Sequence, residues 1–380
     1  MTSSRLLLGL AASVLAWATT TRAQATGPFA TFEVLHRFAP GEQPTGPLVQ
    51  SEDGVLFGTT ARVGDASAGA SFSIDRSGRF RVHHVFAGGS TPIGGLILAA
   101  DGHFYGTTTA GVFRFTPPET VTPLYSFGNY PAGGGPLAGL TEASDAHLYG
   151  VAGGPGNAGS VFRIDAKGRV VVLHAFATDG SEGSDPSAVL IEGRGDRRYG
   201  VTSAGGALHA GTVFSISLDG EVEVVHSFNP ETQGRQPTGG LTFGSDGLLY
   251  GTTCHSASSG SGGGAVYRIA LGGKFEVLHT FTTAEGSCPV GELALFNDGK
   301  LISHGHLIGI TKAGGPHGSG TVYRMDRHGT VTVLHGFGSG RDAAPPEAGV
   351  IQGADGALYG TTGSTANLGG AIYRLKIQRP

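Results

Sequence analysis

The chain reads as a succession of short apolar segments separated by turn residues, and three of these segments recur in fixed order, seven times each. The first is an aromatic-Gly-Thr strand: Phe57-Gly58-Thr59-Thr60, Tyr105-Gly106-Thr107-Thr108, Tyr149-Gly150, Tyr199-Gly200-Val201-Thr202, Tyr250-Gly251-Thr252-Thr253, Ile308-Gly309-Ile310-Thr311 and Tyr359-Gly360-Thr361-Thr362. The second is Gly-x-Val-Phe-Arg-Ile, clearest at 159–164, 264–269, 320–325 and 370–375, with weaker copies ending at Ile74, Phe115 and Ile216. The third is Val-Leu-His-x-Phe, carrying His36, His84, His174, His226, His279 and His335, with Tyr125 in the remaining copy.

Each unit opens on an apolar segment such as Gly240-Leu241-Thr242-Phe243 and runs into an Asp-Gly turn, a strong short-range hairpin signal. These turns are Asp53-Gly54, Asp101-Gly102, Asp246-Gly247, Asp298-Gly299 and Asp355-Gly356, with Asp145-Ala146 as a variant. A second turn, such as Asp165-Ala166-Lys167-Gly168, joins the third and fourth strands. Four antiparallel strands in about 50 residues, repeated seven times, are the signature of a propeller blade. The chain starts on a lone fourth strand at 32–38 and stops on a third strand at 371–375. The N-terminal strand therefore completes the last blade and removes an exposed sheet edge. The expected fold is all-β: one seven-bladed β-propeller of four-stranded antiparallel blades over residues 26–380, and a monomer is expected.

Residues 1–25 stand apart. Arg5, an apolar run over 6–16 and the small-residue exit Ala23-Gln24-Ala25 form the pattern of a secretory signal peptide. The run is shorter than the roughly 20 residues of a spanning helix, so a secreted protein, periplasmic or extracellular, without membrane insertion is expected. Cleavage removes Trp17, the single Trp of the chain, which weakens the case for a sugar-stacking site. Composition supports folding: 68 Gly and 19 Pro approach a low-complexity level, yet 39% hydrophobic and 14% charged residues are the reverse of a disordered composition. Glycine this dense excludes a helical bundle, and a net charge of −4 argues against a nucleic-acid partner.

The repeated unit, close to D-G-x-L-Y-G-T-T…G-T-V-F-R-I…L-H-x-F, resembles the bacterial GloVer (Gloeo/Verruco) tandem-repeat family over residues 29–375, with 246–281 matching almost position by position. The resemblance implies a secreted or surface-anchored protein without an established activity, in a family many of whose members carry a C-terminal anchoring segment. That segment is the part this chain does not match, since it stops at Arg379-Pro380 directly after the last strand.

A histidine recurring six times invites a metal or catalytic reading, and strand parity argues against it. Side chains alternate along a strand, so His279 is expected to share its face with Phe275, Val277 and Phe281, inside an apolar layer between blades. Tyr125, which cannot replace a metal-bound imidazole, holds the same place in the second blade. A buried polar tip needs a partner, and a Thr of the neighbouring Tyr-Gly-Thr-Thr strand is the expected one. The repeated Arg114, Arg163, Arg268, Arg324 and Arg374 are read as structural too, pairing with carboxylates near the blade rim.

Departures from the repeat are more informative. Antiparallel order puts the connections after the second and fourth strands on one face of the ring. Cys254 and Cys288 fall on that face in adjacent blades, and two cysteines behind a signal peptide are expected to form a disulfide. The same face gathers Asp179, Glu182, Asp185, His209, His255 and His317, the candidate binding residues. Such side chains can bind a divalent cation or act as acid and base. Their spacing matches no metal-ligand pattern, so solvated loop residues are the plainer reading and no cofactor is expected. His304-Gly305-His306, in an insertion, is a weak ligand signal. No phosphate loop and no nucleophile elbow is present.

The sequence therefore predicts a secreted binding scaffold for an extracellular glycan or protein. An extracellular polysaccharide lyase or glycoside hydrolase is the alternative by analogy of fold, and a structural cell-envelope protein a third.

Overall fold

The computed structural model describes residues 24–26, 30–62, 68–86, 90–118, 120–129, 133–154, 156, 158–193, 195–257, 263–297, 305–342, 345–365 and 368–378. Seven antiparallel sheets form a closed ring of blades. Blade 1 begins at Gln43, and blade 7 is built from Ile351–Gln352, Leu358–Thr362 and Ala371–Ile377 with the N-terminal strand Ala30–Arg37 as its outer strand. The closing ladder pairs Glu33 with Arg374 and Val34 with Tyr373. Residues 1–23 of the expected signal peptide 1–25, the Asp298-Gly299 turn, His304 and Arg379-Pro380 lie outside the described residues.

Each repeated residue has a packing reason. The Gly of the second strand lies under the aromatic ring of the third: a Cβ on Gly150 would stand 2.6 Å from Phe162 Cζ, and one on Gly251 2.4 Å from Tyr267 Oη. No side chain fits there. The Asp of the Asp-Gly turn accepts from the Tyr hydroxyl four residues on, as in Tyr105 to Asp101 (2.7 Å), Tyr149 to Asp145 (2.6 Å), Tyr250 to Asp246 (2.8 Å) and Tyr359 to Asp355 (2.8 Å). Burial, then the carboxylate, pushes the Tyr105 and Tyr149 hydroxyls up to about 12.

The strand next to the axis carries a fourth repeated segment, Pro-x-Gly/Ala-x-Leu/Val, outside the three sequence signatures. It begins at Pro44, Pro92, Pro136, Pro186, Pro237, Pro289 and Pro346, and each Pro faces the last Thr or Ala of the second strand, as in Pro44 to Thr60, Pro136 to Ala152 and Pro346 to Thr362. Inner strands of neighbouring blades touch backbone to backbone, since a Cβ on Gly94 would stand 2.4 Å from Gly139 N.

The outer strands correct the parity argument. All seven carry a β-bulge before the repeated His or Tyr, which places Val277 opposite Tyr267 and His279 opposite Val266, with Leu278 between. The extra residue reverses the alternation. Phe275 therefore packs into the junction with blade 4, while Phe281 packs with blade 6.

Candidate functional site

The connections after second and fourth strands share one face of the ring, here the loop face, and the Asp-Gly turns share the other. Blades 4 to 6, like blade 1 with its Leu56–Arg62, stand taller on the loop face. Their second strands, Arg198–Ala204, Leu249–His255 and His306–Ala313, outrun Phe104–Thr108, Leu148–Ala152 and Leu358–Thr362. The extra length pairs Ser184 with Ala204, Arg235 with His255 and Ser287 with Ala313. Between each such pair and the following Pro, one residue leaves the ladder in the left-handed region: Asp185 (φ 57°), Gln236 (φ 56°) and Cys288 (φ 53°). A non-glycine residue there is strained, and residues before Pro favour extended backbone. Three consecutive blades thus hold the same unfavourable conformation.

Cys254 and Cys288 form a disulfide that joins the second strand of blade 5 to the first strand of blade 6. The six candidate residues are distributed around this rim and do not converge. Glu182 accepts from His174 Nε2 at 2.8 Å, and Asp179 caps its own loop through Ser181. Asp185 accepts from Ser203 Oγ at 2.6 Å. His209 (φ 55°), His255 and His317 are exposed on three different blades. Among the described residues no three His, Cys, Asp or Glu side chains come together as metal ligands.

In four of its six copies the repeated His takes its partner from the loop that follows its strand, not from a Thr of the neighbouring strand. His174 meets Glu182, His226 meets Gln233 (2.8 Å), His279 meets Glu285 (3.3 Å) and His335 meets Asp342 (2.7 Å). The bulge aims the imidazole at this loop, out of reach of the expected hydroxyl. Burial holds His36 down at about 4 and lowers His84 and His226. Of the repeated arginines, Arg268 pairs with Glu276 (2.8 Å) and Arg374 with Glu33 (2.5 Å), each across the ladder. Arg114, Arg163 and Arg324 face Thr122, Val171 and Thr332, so they have no cross-strand carboxylate.

Two carboxylates that sequence reasoning missed stand on the inner strands: Glu292 in blade 6 and Glu347 in blade 7. Glu347 is held by Lys312 at 3.2 Å. Glu292 is exposed, and its side chain crosses Gly240 of blade 5, its Cγ 2.5 Å from where a Cβ would be. Aligning the seven Pro-x-Gly/Ala-x-Leu/Val segments would have exposed both as departures. On the opposite face, a cleft of about 400 Å³ is lined by Asp246, Arg268, Glu276, Leu278, Arg327 and His328. Its carboxylates are already engaged, Asp246 by Tyr250 and Glu276 by Arg268.

Seven blades closed by the N-terminal strand, with their asymmetry gathered on one face, define a tandem-repeat β-propeller. The chain belongs to the Gloeobacter/Verrucomicrobia repeat family, whose model matches residues 109–303. Among solved structures, a streptogramin B lyase superposes with a TM-score of 0.65 at 18% identity, over 92% of this chain and 98% of that one. The extracellular domain of a hybrid two-component system from B. thetaiotaomicron superposes with a TM-score of 0.58 at 13% identity, over 90% of this chain and 41% of that one. At these identities the likeness is one of fold. No curated protein matches the chain, and no helix among the described residues is long and apolar enough to cross a membrane.

Proposed function

We propose that the protein is a secreted, monomeric propeller scaffold that binds an extracellular glycan or protein through the raised rim of blades 4 to 6. The observation that carries this reading is the left-handed residue before Pro in three consecutive blades, at Asp185, Gln236 and Cys288. Strain of about 1–3 kcal/mol per residue persists only where the surroundings impose it, and such strain collects at binding sites. The disulfide between blades 5 and 6 stiffens this rim and suits an oxidising compartment. The symmetric residues are consumed in packing, so recognition falls to the unlike side chains of the rim, among them Arg235, Gln236, His209 and His255.

A glycan array and an affinity capture from the surrounding medium, each run with the leader-free protein and with a Gln236→Ala/His255→Ala variant, test the reading. Ligand retained by the wild type and lost by the variant supports it; equal retention moves the site elsewhere, and no ligand at all favours a structural envelope role. Release of unsaturated or reducing ends from uronate polymers would replace the scaffold with a lyase or hydrolase. That alternative has weak support in the geometry, because Glu182 and Glu347 are bound to His174 and Lys312.

A further inference from the structure

On the face of the Asp-Gly turns, the cleft of about 400 Å³ between blades 5 and 6 has a volume in the range of small-molecule sites. Its lining comes from four elements: Asp246 of the Asp-Gly turn, Arg268 of the third strand, Glu276 and Leu278 of the fourth, and Arg327 and His328 of the turn 326–329 in blade 6. That last turn is seated on the fourth strand of blade 5, since a Cβ on Gly329 would stand 2.2 Å from Leu278 O. Packing therefore fixes the cleft, and Leu278, the bulge residue, is its apolar part. Asp246 accepts from Leu248 N through Oδ1 (3.1 Å) and from the Tyr250 hydroxyl through Oδ2 (2.8 Å). Glu276 accepts from Arg268 Nε (2.9 Å) and Nη2 (2.8 Å) through Oε2 alone, so Oε1 has no partner among the described residues. Arg327 Nε donates to His328 Nε2 at 3.0 Å, and the Arg327 Nη pair meets no acceptor among the described residues. Free donors and free acceptors thus line one cleft, in which two guanidiniums balance two carboxylates.

The junction of blades 7 and 1 carries the same set of residues and behaves differently. Asp355, Arg374, Glu33, Leu35 and Arg76 hold the equivalent positions: Glu33 faces Arg374 across the ladder, and a Cβ on Gly78 would stand 3.1 Å from Leu35 O. There the set closes on itself. Arg374 Nη1 donates to Arg76 O at 3.4 Å, and the Arg76 guanidinium folds back over its own blade, with Nη2 2.9 Å from where a Cβ on Gly54 would be. In blade 6, His328 stands where blade 1 has Ser77 and takes Arg327 through Nε, which leaves the Nη pair free at the cleft. The placement of the second guanidinium, and not the residue set, distinguishes the junction of blades 5 and 6.

We propose that this cleft is a second binding site, for a neutral saccharide of about one or two sugar units. A sugar hydroxyl both donates and accepts, so neighbouring hydroxyls satisfy Glu276 Oε1 and the Arg327 Nη pair together, through hydrogen bonds of the stronger, charge-assisted kind. Leu278 meets the apolar face of the sugar ring. A charged ligand lacks this match, because an anion meets Asp246 and Glu276 and a cation meets Arg268 and Arg327. The site lies on the face opposite the rim of blades 4 to 6 and is independent of the rim reading.

The test is saturation-transfer NMR with lactose, cellobiose and mannobiose at millimolar concentration on the leader-free protein. It compares the wild type with Arg327→Ala, with Arg76→Ala as the control at the closed junction, and with the rim variant Gln236→Ala/His255→Ala. The expected result is transfer to at least one disaccharide in the wild type, kept by Arg76→Ala and by the rim variant and weakened at least about tenfold by Arg327→Ala. Both arginines are exposed on turns and pair with no carboxylate among the described residues, so the variants keep the fold, and their melting temperatures check this. Transfer to none of the three sugars, or transfer unchanged by Arg327→Ala, overturns the proposal. Transfer lost in the rim variant overturns it as well and assigns the sugar to the rim, and binding of digalacturonate in place of the neutral disaccharides overturns the ligand class.

Discussion

The imidazole of His226 lies flat on the ring of Phe275 in the next blade, with centroids 4.1 Å apart and planes within 6° of parallel. The relation recurs at His335 on Phe32 (4.0 Å, 4°) and His36 on Phe80 (3.8 Å, 5°), the last two around the closure of the ring. At His36 and His226 burial favours the neutral imidazole, because protonation there loses hydration.

Acid should therefore loosen the ring. The folded value of His36, about 4, lies below the unfolded 6.5, so the unfolded chain binds its proton first. Stability is complete above pH 6.5 and falls as pH drops from 6.5 to 4, by roughly 3 kcal/mol for His36. His84 and His226 act in the same direction. Urea midpoints across this window are expected to decline for the wild type and to decline less for His36→Phe, which keeps the stack without the titration. An equal decline in both would assign the acid limb to other groups.

The third strands carry Phe72, Phe113, Phe162 and Phe214 in blades 1 to 4 and Tyr267, Tyr323 and Tyr373 in blades 5 to 7, all buried. The three hydroxyls have no hydrogen-bond partner among the described residues. A buried, unpartnered hydroxyl costs about 1–3 kcal/mol. Tyr267→Phe is expected to leave the melting temperature unchanged or raise it. Gly251→Ala pushes a Cβ into the same ring and should cost about 1–3 kcal/mol by overpacking. In the double variant, partial recovery would show that the hydroxyl is the first atom struck.

These residues also show how much the sequence carries. Tyr-Gly-Thr strands, Asp-Gly turns and the out-of-phase ends were legible because a seven-fold repeat averages away local ambiguity, and pairing, closure and the shared face of Cys254 and Cys288 follow from strand order. The bulge at Leu278 was not legible: nothing in Val-Leu-His-x-Phe marks an extra residue, and that residue reversed the parity on which the His argument stood. Glu292 was missed for another reason. Departures were sought in loops, whereas the inner-strand segment is too short and glycine-rich to stand out until its seven copies are aligned.

The disulfide ties blade 5 to blade 6 across a sequence separation of 34. In the chain-entropy description such a loop contributes about 3–4 kcal/mol. Reduction, or the Cys254→Ser/Cys288→Ser variant, should lower stability by that order, read from urea midpoints with and without reductant. The wild type denatured without reductant should show no titratable thiol, and two thiols there would remove the bridge from the account. Loss of rim binding on reduction without global unfolding would tie the bridge to recognition.

Arg198 stands where the other blades place Leu56, Phe104, Leu148, Leu249, Leu307 and Leu358, and its side chain is 2% exposed. The guanidinium lies 4.4 Å over the Tyr149 ring, with Nη2 3.3 Å from Glu192 and 3.6 Å from Asp145. Its Nε has no partner among the described residues. Both carboxylates have other donors: Ser144 holds Glu192 through N and Oγ, and the Tyr149 hydroxyl holds Asp145. Removing the charge therefore strands neither. Replacing a buried ion pair by a well-packed apolar residue is often neutral or stabilising. Arg198→Leu, which restores the repeat, is expected within about 1 kcal/mol of wild type, whereas Arg198→Ala leaves a cavity and costs about 2–3 kcal/mol. Urea midpoints for the two variants decide between volume and charge: if Arg198→Leu falls as far as Arg198→Ala, the ion pairs and not the filling of the junction hold blades 3 and 4 together.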